Sequence, residues 1–240
     1  MSEHTYDYSI LDKKTRSKKT LLLAAFDTKS DTYELGIDEA GRGPLMGRVY
    51  SAAVVLPKDE CFRHDWMQDS KKFTKWEKLK TTEQYIKQHA LAYSIQYEDE
   101  NGIDKINILQ ATYKCMHKCV HDITLQLETT LCHLLVDGTN FKPYIIIDDD
   151  EFKSIQHTCI KSGDNTFSSI AAASILAKVA RDEYIDDLCK ENPLLDTYYG
   201  ISSNKGYGSK KHRDGIKEHG ISKWHRKSYG ICKDNLDRIW

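Results

Sequence analysis

Apolar and polar positions change period several times along the chain, and the changes mark an alternation of strands and helices. Tyr33 to Asp38 and Val49 to Leu56 are apolar and β-branched, and read as strands paired like a hairpin across the tight Gly41-Arg42-Gly43-Pro44 connection. Thr74-Lys75-Trp76-Glu77 has the Thr-x-x-Glu form of a capping box and predicts a helix to about His89; Leu91 to Tyr97 then alternates as a strand. Ile103 to Leu127 is mostly helical in pattern. Leu131 to Val136 and Tyr144 to Ile147 are apolar runs of strand length, the first closed by Asp137-Gly138 and the second by Asp148-Asp149-Asp150. Ser168 to Cys189 is the clearest helix, and its first half, Ile170 to Ala177, is apolar nearly all round, the pattern of a helix buried against a sheet. Ser174, Lys178, Arg181 and Asp182 form its one polar stripe. Alternating strands and helices of this kind predict an α/β fold.

The chain's 240 residues suffice for one large domain with a proper core. Basic residues number 35 and acidic 36, a net charge of -1, so attraction to nucleic acid has to come from local clustering. The strongest cluster is Ile201 to Lys233, with nine Lys or Arg against two acids. Leu21 to Phe26 and Ala52 to Leu56 are among the longest apolar runs, well short of the roughly 20 residues a bilayer span requires. The basic run Lys13 to Lys19 precedes an apolar piece too short for a signal peptide, and Glu3, Asp7 and Asp12 argue against a transit peptide. A cytoplasmic setting is expected, with nuclear import through the basic run left open. Seven scattered cysteines without a CxxC pair fit a reduced compartment. Cys115, His117, Cys119 and His121 alternate on a helix, which sets the two Cys and the two His on faces roughly 200° apart. That spacing reads as core Cys and surface His, not as a zinc knuckle.

The chemistry concentrates in Gly36-Ile37-Asp38-Glu39-Ala40-Gly41-Arg42-Gly43-Pro44. Two adjacent carboxylates end an apolar strand, and glycines follow whose backbone can approach a ligand closely. Asp137 ends a second strand, and Asp164 precedes the buried helix; carboxylates at the ends of different strands commonly converge in α/β sheets. Acids gathered in one cleft repel one another unless divalent cations neutralise them, and all-oxygen ligands suit Mg²⁺ or Mn²⁺. Two such ions can serve phosphodiester hydrolysis. In an ideal strand Asp38 and Glu39 point to opposite faces, so both join one site only where the pleat ends. Asp148-Asp149-Asp150-Glu151 reads as a solvated turn, with Asp148 the substitute should Asp164 lie elsewhere. On the substrate side, Lys205-Gly206-Tyr207-Gly208-Ser209 joins a flexible loop, a stacking Tyr and an N-cap whose helix favours phosphate. Asp69-Ser70-Lys71-Lys72 and His225-Arg226 offer further phosphate contacts.

The Gly36 to Pro44 segment, followed by Ala52-Ala53-Val54, resembles the signature of type 2 ribonuclease H, also called ribonuclease HII. Asp69-Ser70-Lys71-Lys72, Val136-Asp137-Gly138, Gly163-Asp164, Ser169 to Asp182, Lys205 to Gly208 and His225-Arg226 agree with it in order, across about residues 34 to 230. The resemblance implies an RNase H-like fold: a mixed β-sheet flanked by helices with a C-terminal helical region. Residues 34–230 would form the catalytic domain, residues 1–33 an N-terminal extension open to flexibility, and residues 231–240 a tail. It implies a metal-dependent endonuclease that cuts RNA paired with DNA and incises 5′ of ribonucleotides in duplex DNA, leaving 3′-hydroxyl and 5′-phosphate ends. Asp38, Glu39, Asp137 and Asp164 would bind the metals, and Gly41, Arg42 and Gly43, with the Tyr207 hydroxyl, would sense the 2′-OH that distinguishes RNA from DNA. Ser70, Lys71, Lys72, Lys205 and Ser209 complete the expected substrate contacts, and the chain is expected to act as a monomer. Arg48 stands where the family usually has Pro, Phe73 where Leu is common, and the stretch between Asp137 and Asp164 is longer than usual. Two other readings remain open: a metal-independent ribonuclease using His212 or His225, and a binding module without turnover.

Overall fold

The computed structural model describes residues 7–12, 21–148 and 150–240; the basic run Lys13 to Lys19 and Asp149 lie outside them. Strand β1 (Tyr33–Ala40) pairs antiparallel with β2 (Val49–Val55), as the hydrophobic pattern predicts, and β2 pairs with β3 (Ala92–Glu98). On its other side β1 runs parallel to β4 (Cys132–Asp137), and β4 parallel to β7 (His157–Ile160), giving a five-stranded mixed sheet in the order β3-β2-β1-β4-β7.

The period-2 alternation of the strands assigns the two faces. Leu35, Ile37, Leu134 and Val136 point to one face and pack with Met116, Val120 and other residues of helix α3 (Ile108–Gln126). Tyr50, Ala52 and Val54 point to the opposite face and pack under α4 (Ser168–Glu191) and α1 (Trp76–His89). Each fully buried Ile or Leu in these layers contributes about 2 kcal/mol of transfer free energy. The small side chains Ala171 to Ala173 let α4 approach the sheet closely, and Gly36 admits its backbone. The last turns of α4 carry Ile185 and Leu188 into a second core beneath α5 (Leu194–Tyr199), α6 (Ile201–Asn204), α7 (Lys210–His219) and α8 (Gly230–Lys233). This C-terminal layer sits beside the β1–β2 connection.

Several local expectations change. The helix predicted from Ile103 onward is two helices, α2 (Glu100–Ile106) and α3, divided by Asn107 at φ 64°. Asn tolerates that left-handed backbone, and its Oδ1 accepts from the amides of Leu109 at 3.0 Å and Gln110 at 3.1 Å, so it caps α3. Asn107→Ala is expected to lower stability by about 1–2 kcal/mol, read from urea unfolding, through loss of the cap and strain at positive φ. The Thr74 capping box does not form: Lys75 occupies the N-cap position with extended backbone and no side-chain cap bond. The Tyr144 to Ile147 run does not join the main sheet. Its β5 (Ile145–Asp148) pairs with β6 (Glu151–Ser154) in a separate two-stranded ribbon, which accounts for the long stretch before Asp164.

Both ends of the chain are docked where they are described. Tyr8 stacks edge-on against Tyr85, and the amide of Leu23 donates to Thr166 O at 2.8 Å just before α4. At the other end Cys232 is buried and the Trp240 indole donates to the Tyr199 hydroxyl at 2.8 Å. Cys115 and Cys119 are buried and free, as the helical spacing predicts, while His121 is exposed. No helix among the described residues is long and apolar enough to cross a membrane.

Candidate active site

Parallel pairing of β1 with β4 sets Ile37 beside Val136, so one residue further on Asp38 stands beside Asp137. Both side chains leave the sheet on the α4 face, because Ile37 and Val136 are on the other. Asp38 is buried, and the Glu39 amide donates to its Oδ1 at 2.7 Å. Burial first, then the charges of Glu39 and Asp137, hold the Asp38 carboxyl well above the ordinary carboxylate range; the Glu39 amide and the Ser174 hydroxyl pull the other way.

Glu39 joins the group although β1 continues to Ala40. Burial and Asp137 push its carboxyl up, against the Arg42 guanidinium that meets Glu39 Oε1 at 3.3 Å. Asp164 is buried in the short 3₁₀ turn Gly163–Asn165 that leads into α4. Asp137 anchors this turn by accepting from the Gly163 amide at 2.7 Å. Burial, Asp69 and Asp137 raise the Asp164 carboxyl, while Asn165 Nδ2 donates to it at 2.9 Å. Asp137 therefore lies in electrostatic contact with all three other acids. Asp148, the substitute, ends β5 opposite Glu151 in the separate ribbon.

The four acids are gathered without closing on a common point: among the described residues no three Asp, Glu, His or Cys side chains are close enough to grip one ion. Their donor set nevertheless suits a hard divalent cation, since every ligand is a carboxylate oxygen and the buried charges have too little local compensation. Asp69, which the sequence places only within a phosphate-contact segment, caps the 3₁₀ turn Ser70–Lys72 and presses its charge on Asp164. An acid next to a Ser-Lys-Lys run carries no marker of that neighbourhood.

The substrate-side residues divide. Tyr207 is half exposed, and its ring lies so close over Gly43 that a Cβ there would stand 3.4 Å from Tyr207 Cε1. Gly41 has φ 97°, and a Cβ on it would fall 2.3 Å from Arg181 Nε, so glycine is required twice over. Lys71 and Lys72 are exposed, Lys72 pairing with Asn165. Ser70 is buried instead, its hydroxyl 2.9 Å from that of Ser174, and fixes the loop to α4. Lys205 pairs with Asp186 on α4. Ser209 caps α7, accepting from the His212 amide at 3.2 Å.

His225 and Arg226 are the clear correction. Both are fully buried, so neither presents itself to a phosphate. His225 Nε2 lies 3.0 Å from His212 Nε2, and burial together with His212 pulls the His225 imidazole down to about 3. A buried pair held neutral cannot serve the metal-independent acid-base reading. Part of the polar stripe on α4 faces the site: Ser174 reaches Asp38, and Arg181 Nη2 donates to Lys205 O at 2.7 Å beside Tyr207, whereas Lys178 and Asp182 pair with each other.

A five-stranded mixed sheet between helices, with acids at the ends of adjacent parallel strands, defines an RNase H-like nuclease fold. Two solved structures share it: the ribonuclease HII of the PCNA:RNase HII complex from Archaeoglobus fulgidus, at TM-score 0.62 and 20% identity over 85% of this chain and 98% of that one, and Bst-RNase HIII in complex with Mn²⁺, at TM-score 0.62 and 18% identity over 94% and 75%. The family model described as Ribonuclease HII matches residues 35–232. Curated ribonucleases HII from Phocaeicola vulgatus and Bacteroides thetaiotaomicron are each 41% identical, covering 84% and 85% of this chain and 90% and 92% of their own length. The chain belongs to the ribonuclease HII family. It is accordingly an enzyme, a ribonuclease H, of a family that depends on divalent metal and acts on RNA–DNA hybrids, and the reading as a binding module without turnover is set aside.

Proposed function

We propose that residues 34–230 form a catalytic unit that hydrolyses RNA in RNA–DNA hybrids and incises on the 5′ side of single ribonucleotides in duplex DNA, as a monomer inside the cell. The observation that supports this best is the placement of Asp38 and Asp137 side by side at the ends of parallel strands, with Glu39 and Asp164 in electrostatic reach. Asp38, Glu39, Asp137 and Asp164 would hold Mg²⁺ or Mn²⁺, which in a two-ion arrangement would make a bound water nucleophilic and stabilise the leaving oxygen. The chain's own residues position the reacting groups. Asp137 ties the Asp164 turn to β4 and so sets the spacing of the acids. The exposed Lys71 and Lys72, with the N-terminus of α7 capped by Ser209, face the backbone phosphates. The Arg42 and Gly43 amides and the Tyr207 hydroxyl contact the 2′-OH, selecting the ribonucleotide whose 5′ phosphate is attacked. In the hydrolysis the water oxygen bonds to phosphorus, the P–O3′ bond breaks, and the departing 3′-oxygen gains a proton.

Incubating duplex DNA that carries one ribonucleotide, with Mg²⁺ and then with EDTA, tests this. Cleavage that requires the ion and leaves a 3′-hydroxyl and a 5′-phosphate supports the proposal; a 2′,3′-cyclic phosphate or EDTA-resistant turnover refutes it. Tyr207→Phe should keep the ring over Gly43 but remove one hydrogen bond to the sugar. Its preference for a single embedded ribonucleotide over an all-RNA strand should fall roughly 3- to 10-fold. An unchanged cleavage ratio would remove Tyr207 from the sensing role.

A further inference from the structure

We propose that Arg226 is a positioning residue for sugar recognition: its buried guanidinium turns the carbonyls of the 41–44 loop inward and thereby presents the Arg42 and Gly43 amides to the substrate. This deepens the reading above and rests on it. Nη2 donates to Gly41 O at 2.6 Å and to Arg48 O at 3.3 Å; Nη1 donates to Arg42 O and Pro44 O, both at 2.9 Å; Nε donates to Gly47 O at 2.9 Å. The Tyr229 hydroxyl closes the arrangement, 3.1 Å from Nη1 and donating to Arg42 O at 2.9 Å. The whole guanidinium fork is spent on one turn of chain nearly two hundred residues away in sequence.

Peptide planarity converts these bonds into an orientation of the opposite groups. In a trans peptide the N–H of residue i+1 points away from the C=O of residue i. With Gly41 O and Arg42 O aimed at Arg226, the amides of Arg42 and Gly43 point away from it, and among the described residues neither has an acceptor. The third inward carbonyl shows the geometry at work. Pro44 O accepts from Arg226, and the Leu45 amide on the far side of that peptide donates to Gly206 O at 2.8 Å, next to Tyr207. One guanidinium thus orients both free amides and joins their loop to the loop that carries the sensing Tyr.

Packing alone would not call for such a group. Arg226 is fully buried and, among the described residues, forms no ion pair, although the charge of Glu100 favours its ionised form. Isolated buried cations are strongly unfavourable unless dipoles surround them. Here two of the surrounding dipoles are the peptide groups that carry the Arg42 and Gly43 amides, and hydrogen bonding at the carbonyl strengthens the N–H as a donor. A lysine keeps the charge but has three donors on one atom and cannot reproduce the fork.

The test measures wild type, Arg226→Lys and Tyr229→Phe on a duplex with one ribonucleotide and on an all-RNA strand paired with DNA, with melting temperature and circular dichroism beside each. An all-RNA strand offers many registers, whereas a single ribonucleotide must be sensed where it lies. For Arg226→Lys, kcat should fall about 100-fold on the single site and about 10-fold on the hybrid, with KM within about 2-fold. For Tyr229→Phe the ratio of the two rates should fall about 3-fold. A folded Arg226→Lys with the wild-type ratio overturns the proposal. If Arg226→Lys does not fold, Tyr229→Phe decides: a lowered ratio sustains the positioning role and an unchanged one overturns it. A wild type that fails to cut at a single ribonucleotide defeats the sensing reading itself, and this inference with it.

Discussion

Asp38→Asn should reduce hydrolysis of an RNA–DNA hybrid by about 10³-fold or more while leaving the protein folded and able to bind duplex, because it removes a negative ligand from where charge must be compensated. Asn matches Asp in shape and can keep the hydrogen bond from the Glu39 amide at 2.7 Å. Loss of activity would therefore report charge and not collapse of the strand end. The stability arm has the opposite sign. Burial and the charges of Glu39 and Asp137 disfavour the ionised Asp38 carboxyl in the folded chain. Neutralising it relieves that repulsion, so in metal-free buffer the variant should melt no lower than wild type. Adding Mg²⁺ or Mn²⁺ should raise the melting temperature of wild type more than that of Asp38→Asn, since an ion bound to the native state stabilises it by mass action. Full activity in the variant would remove Asp38 from the catalytic set; lost activity with a lowered melting temperature would mean that the carboxylate is structural.

How far the sequence discloses this site depends on where the determining interactions lie. Asp38 and Asp137 are legible because each closes the apolar run of its strand, and parallel strands with matched apolar faces bring those positions together. The α4 stripe is legible because a helix otherwise apolar all round must direct its few polar groups somewhere functional or wet. Arg226 reads in the sequence as a surface phosphate contact, and the structure buries it, for a physical reason. Its partners are backbone carbonyls, which every residue has, and no pattern of side chains announces a turn whose oxygens point inward. Ser70 is hidden for a similar reason, since its burial comes from Ser174 on a helix about one hundred residues later. The division at Asn107 escaped because apolar periodicity continues through it, and only the capping capacity of Asn distinguishes the break. The β5–β6 ribbon misled in the reverse direction: its apolar run has the composition of a core strand, yet Ile147 and Phe152 are exposed.

Gly36→Ala should lower stability by about 3–4 kcal/mol, a large loss for a single methyl, because the new atom meets backbone and not a movable side chain. A Cβ at Gly36 would stand 2.1 Å from Ser169 C and 2.4 Å from Ile170 N, in the first turn of α4. Ser169 and Ile170 cannot rotate out of the way, so the helix must lift from β1. That shift reaches the active site directly, since Asp38 lies two residues along the strand and Asp164 four residues before Ser168. Molecules of Gly36→Ala that remain folded should accordingly lose hydrolytic activity as well as stability. Gly138→Ala separates crowding from backbone strain. Gly138 has φ 100° at the end of β4, yet nothing lies within 4 Å of its Cβ position, so only conformational strain of about 1–2 kcal/mol is expected. Urea unfolding of the two variants should place Gly36→Ala well below Gly138→Ala; equal losses would show that α4 does not rest on β1 through the backbone at Gly36.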